Sequence, residues 1–114
     1  MTRIRPRSVA WTSAQFRDKN PALYKALIGA FTEATEMLDK DVKEASQLWI
    51  DGAKSKLTVE KVAEIASGKQ VRWTIVPEST MKYAEFMHSV GSIKVKPSDW
   101  KDLFFPEIHG LPGS

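Results

Sequence analysis

The sequence predicts a mainly α chain: about four helices, near residues 21–39, 42–51, 59–67 and 78–90, joined by short extended segments. Three observations point there. Residues 16–38 carry a broad apolar stripe at helical spacing, with a capping residue and a proline near its start. Two further stretches repeat the order of cap, stripe and closing glycine. Only residues 71–75 and 93–96 alternate apolar and polar, as an extended segment with one buried face would, and both are short.

In chain order, residues 1–8 read as a basic flexible N-terminus and residues 9–114 as one helical domain or partial lobe. Val9 to Thr12 form a short extended lead into Phe16. Asn20 caps the long helix through its side chain, and Pro21 sits at the first helical position, where a missing N–H costs nothing. At about 100° per residue, Leu23, Leu27, Ala30, Phe31, Ala34 and Leu38 fall on one arc, which is predicted to face the core. Tyr24 and Ile28 widen one edge of that arc.

Asp41 and Glu44 have capping-box spacing for a second helix. Its stripe is Val42, Ala45, Leu48 and Trp49, with Gly52 as the left-handed stop. Thr58 caps a third helix whose Val59, Val62, Ala63 and Ala66 face one way before Gly68. Val71 to Ile75 read as an extended segment, and Pro77 opens the fourth helix. There Tyr83, Phe86, Met87 and Val90 form the predicted inner face and Gly91 the stop. Asp99 then starts about one helical turn through Trp100 and Leu103. The tail, Phe104 to Pro112, holds too much proline and glycine for regular structure.

Composition bounds the rest. With 42% hydrophobic and 27% charged residues, the chain has globular rather than disordered composition. Four tryptophans in 114 residues require either a substantial core or an apolar contact surface. The absence of cysteine excludes disulfides, thiolate catalysis and cysteine-bound metal. Net charge is only +3, and Arg3, Arg5 and Arg7 lack the neighbouring aromatic array of a nucleic-acid site, so no nucleic-acid partner is expected. No stretch approaches the ~20 apolar residues of a membrane span, so no membrane insertion is expected. The basic start lacks the apolar core of a signal peptide, which would leave the chain cytoplasmic if expressed alone.

The residues that carry chemistry are few. His88 and His109 stand far apart, and neither has a carboxylate at metal-ligand spacing. Glu33 with Glu36, and Asp99 with Asp102, are surface pairs three residues apart, with nothing in the sequence to give the two members different roles. Gly110 to Gly113 lack the strand, helix and lysine of a phosphate loop. No reaction, cofactor or metal is indicated, and the chain reads as a non-enzyme.

Several blocks resemble a known family. Val9-Ala10-Trp11-Thr12-Ser13 and Phe16-Arg17-Asp18-Lys19-Asn20-Pro21, followed by Leu23-Tyr24-Lys25-Ala26, are similar to a late segment of nitrate/sulfonate/taurine-type substrate-binding proteins of ABC importers. Thr80 to His88, Gly91 to Lys94, Lys96-Pro97 and the ending Trp100 to His109 continue the resemblance in the same order. It implies the C-terminal part, about the last third, of a type II periplasmic-binding α/β fold that closes on a small anionic solute and delivers it to an ABC permease. It also implies a periplasmic location. By the same resemblance Trp11, Thr12 and Ser13 lie nearest the ligand cleft; their other reading is a strand end with local turn bonds. Because a cleft ligand is held by both walls, solute binding is expected only when the missing lobes are supplied.

A second expectation comes from the residues themselves. The apolar arc of the long helix spans about 180°, more than one neighbouring helix covers. It makes the chain a stand-alone helical interaction or oligomerisation module, with a homodimer as the commonest closed arrangement.

Overall fold

The computed structural model describes residues 8–114, so the arginine-rich residues 1–7 lie outside the described part. The chain is mainly helical. Five α-helices follow one another: α1 (Ala14–Lys19), α2 (Pro21–Lys40), α3 (Val42–Ala53), α4 (Val59–Ala66) and α5 (Thr80–Ser89). Two 3₁₀ turns, Trp100–Leu103 and Pro106–Ile108, complete it, and the described residues contain no strand. They divide into two compact units, one running to Trp73 and one from Thr74 to Ser114.

In the first unit, α1 packs on α2, α2 on α3, and α3 most extensively on α4. Helix α1 is an addition to the expected set. Ser13 makes it possible by accepting the Phe16 N–H on its hydroxyl at 3.1 Å. Asn20 then acts differently from its expected part. Its amide donates to the Phe16 carbonyl at 3.0 Å and makes no side-chain cap on α2. It therefore closes α1, and α2 starts on Pro21 alone.

The cap side chains of α3 and α4 are in place, but the Asp41–Glu44 box is only half made, because the Asp41 N–H donates to the Met37 carbonyl at 2.8 Å. Asp41 accepts from the N–H groups of Lys43 and Glu44, both at 3.1 Å, and Thr58 accepts from Lys61 at 3.3 Å. The stop of α3 is not Gly52, which remains helical. Lys54 instead takes the left-handed conformation at φ 51°, and the Ser55 N–H reaches back to the Ile50 carbonyl. Extra helical residues up to Ala53 explain the shift: the reversal occurs where the helix ends, whether or not a glycine stands there.

The face that α2 turns inward is not the predicted one. Tyr24 is its buried residue, and Ile28, Thr32 and Thr35 are half-buried on the same side. That face lies about 100° around the helix from the predicted centre. Two threonines are accepted there because their hydroxyls donate to backbone carbonyls, Thr32 to Ile28 and Thr35 to Thr32, each at 2.9 Å. Helix α3 uses the same device. Ser46, only 2% exposed, donates to the Val42 carbonyl at 2.6 Å, while Leu48 and Trp49 of the predicted stripe are exposed. In α4 all the predicted residues face inward, with Ala63 buried and Val59, Val62 and Ala66 half-buried, whereas in α3 only Val42 and Ala45 of the predicted stripe are half-buried.

Val71 to Ile75 do not form a strand. An extended segment needs a neighbour for its N–H groups, and here Val71 donates instead to Gly68 in a turn at 2.8 Å. The Trp73 indole N–H donates to the Ala66 carbonyl at 3.0 Å, closing the end of α4.

The second unit is built around Trp100, which is buried together with Pro77 and Ala84. Phe104 and His109 lie against its ring with centroids at 6.0 Å, tilted and edge-on respectively. Its 3₁₀ turn carries a full capping box: Asp99 accepts from Lys101, and Asp102 accepts from Ser98 and Asp99. Helix α5 begins at Thr80 and not at Pro77, because Ser79 adopts the left-handed conformation at φ 54° between them. Its end follows expectation. Gly91, at φ 77°, donates to His88, and Ser92 donates to Met87, which completes a Schellman stop. Ile93 to Lys96 form no strand, and Val95 is exposed. The tail, expected to be irregular, contains the second 3₁₀ turn.

Candidate functional site

The largest chemical feature of the first unit is an apolar face left in the open. Leu23, Leu27 and Phe31 on α2 are 57, 40 and 41% exposed. Ala26, Ala30 and Ala34, on the same side, are exposed as well. From Leu23 to Leu38 this stripe runs roughly 22 Å along the helix axis. Its alanines keep the middle flat, and its leucines and Phe31 stand along one border.

Toward the C-terminal end of α2 the stripe passes into a shallow groove. Ala30, Ala34 and Met37 form one wall with Leu48 of α3, and Glu33, Glu36 and Lys40 contribute polar atoms at its rim. Such a surface excludes water well only when another apolar surface meets it. Leaving large side chains in water forgoes roughly 25 cal/mol for each Å² that contact would bury. The surface is apolar along its floor, with Glu33, Glu36 and Lys40 at the rim of its groove.

The three residues expected nearest a ligand cleft lie on the segment that enters α1. Trp11 is 89% exposed, Thr12 is half-buried and Ser13 is committed to capping α1. Their neighbourhood in sequence is a local helix start.

In the second unit, α5 turns most of its predicted inner face outward. Phe86, Met87 and Val90 are exposed, whereas Tyr83 is half-buried and Ala84 buried. The histidines stay apart in role. His109 places Nε2 at 3.0 Å from the Lys101 carbonyl and 2.8 Å from that of Phe104. Both oxygens can only accept, so Nε2 carries the hydrogen and the ring serves to hold the tail. Asp99 and Asp102 are engaged in the capping box. Among the described residues no three His, Asp or Glu side chains gather as metal ligands, and no helix is long and apolar enough to cross a membrane.

No family model matches the sequence, and no curated protein or solved structure matches it.

The sequence held a signal for the open faces. The wide apolar arc of α2 exceeds what one neighbour covers, and burial of the Tyr24 edge leaves the remainder outside. Which edge would be buried was hidden in Thr32 and Thr35, whose polarity argues against an inner face until their backbone bonds are known.

Proposed function

We propose that the chain acts as a helical interaction module, docking through the open α2 face onto another polypeptide, which is a second copy when nothing else is present. The observation that carries this reading is the exposure of Leu23, Leu27 and Phe31 along one continuous stripe. A patch of that kind on a small protein is a common mark of a contact surface. An environment-sensitive hydrophobic dye tests it at nanomolar to micromolar protein. At the lowest concentrations the dye should bind and brighten, and it should be displaced as concentration rises and the face is covered. A chain that never binds dye, and whose mass stays at 12.8 kDa throughout, would overturn the reading.

A second reading is favoured by the ordered sequence blocks between Val9 and His109. In it the chain is the C-terminal part of a solute-binding component of an ABC importer for nitrate, sulfonate or taurine-like anions, and the open faces cover parts supplied by the rest of that protein. This reading expects the chain alone to bind such anions weakly or not at all. Calorimetry with nitrate, methanesulfonate and taurine tests that expectation: micromolar affinity would overturn it and would mean that a complete pocket exists within, or between copies of, this chain.

A further inference from the structure

The strand-free second unit is closed by its own last residues. Ser114 donates its N–H to the Pro77 carbonyl at 2.9 Å and accepts the Thr80 N–H on its carbonyl at 2.6 Å. Its hydroxyl accepts the Ser79 N–H at 2.9 Å. These contacts serve the start of α5, where Ser79 makes no side-chain cap of its own. The first-turn N–H groups of a helix have no partner within the helix, so a distant segment here supplies what a cap residue supplies elsewhere. One residue earlier, Gly113 lies flat on the Trp100 indole: a Cβ at that position would sit 2.6 Å from Trp100 Cε2. The same few residues therefore cap α5 and cover the central ring of the unit. They do so without a large buried side chain, since Leu111 and Gly113 are half-buried and Pro112 and Ser114 are exposed.

We infer that residues 111–114 form a releasable strap, whose lifting uncovers Trp100 and uncaps α5 in a single step. Segments held by a few exposed hydrogen bonds and little apolar burial open at the low end of a protein's range of local stabilities. The strap has that make-up, whereas Trp100 and Pro77, which it touches, are buried, as is Ala84. Lifting it leaves an open form with an indole face beside the free first-turn N–H groups of α5. This device is independent of the α2 face and does not rest on the interaction reading.

The test uses the full chain with Trp11, Trp49 and Trp73 changed to Phe, so that Trp100 is the only emitter. Gly113→Val, which cannot lie on the indole, should shift Trp100 emission to the red and raise acrylamide quenching at least twofold. Amide exchange at Ser79 and Thr80 should accelerate at least tenfold in the same variant, with exchange in α3 and α4 unchanged. Ser114→Ala removes one acceptor at the far end of the strap, away from the ring. It should raise Trp100 quenching in the same direction by a smaller amount, and it decides the matter if Gly113→Val unfolds the unit. Unchanged Trp100 quenching in Ser114→Ala, or faster Ser79 exchange without any change at Trp100, would overturn the single-step strap.

Discussion

Lys54 and Gly52 are each the wrong residue for their backbone. Lys54 sits at φ 51°, where a Cβ crowds the following carbonyl, while the glycine two positions earlier lies inside α3. Lys54→Gly should therefore stabilise the first unit by about 1 kcal/mol in urea unfolding, because it removes the left-handed strain. A Cβ added at Gly52 meets nothing within 4 Å. Gly52→Ala should add about 0.5–1 kcal/mol by restricting the unfolded chain and favouring helix. A loss of stability in either variant would mean that α3 ends elsewhere. The same residues mark the limit of reading by type. Glycine signals where a reversal is cheap, and at Gly91 the chain takes it. At Gly52 the helix runs past its cheapest stop and reverses two residues later, at Lys54.

Among the elements, α2 is the most instructive. Its limits were legible to within a residue, since Pro21 and Asp41 are strong boundary signals. Its buried face was not, because side chains counted as polar carry their own partners. Thr32, Thr35 and, in α3, Ser46 each donate to a carbonyl one turn back, which removes the penalty of turning them inward. The two alternating segments carry neither helix nor strand, and the buried face expected of them does not form: Val71, Trp73 and Val95 are exposed, and no partner strand is present among the described residues. The exposure pattern of α2 gives a sharp contrast. Tyr24→Ala should cost about 3 kcal/mol of unfolding free energy, as truncation of a buried aromatic does. Phe31→Ala, measured at concentrations where the protein is monomeric, should cost under about 1 kcal/mol. The reverse order would show that the Leu23–Phe31 arc, not the Tyr24 edge, faces the core.

At the scale of the whole molecule, helical class was readable from caps and periodicity, and the thin core was foreshadowed by an apolar arc too wide for its neighbours. The candidate site was legible only as a surplus of apolar surface. Its position depended on which edge of α2 became buried, and that was decided by the threonine bonds. Trp11, Thr12 and Ser13 were singled out by family resemblance, and Ser13 has a local duty that its sequence neighbours did not reveal. If the open α2 face is a contact surface, self-association must depend on its side chains. Light scattering on the wild type and two variants, from 1 to 100 micromolar, shows whether it does. The wild-type mass should rise above 12.8 kDa with concentration. Phe31→Asp, which places a charge in the middle of the stripe, should weaken association by about tenfold or more, as loss of an aromatic anchor does. Lys25→Asp, on another side of the same helix, should leave the wild-type curve unchanged. A wild type that remains at 12.8 kDa without binding dye, or a Phe31→Asp curve that overlays the wild type, would contradict the contact-surface reading.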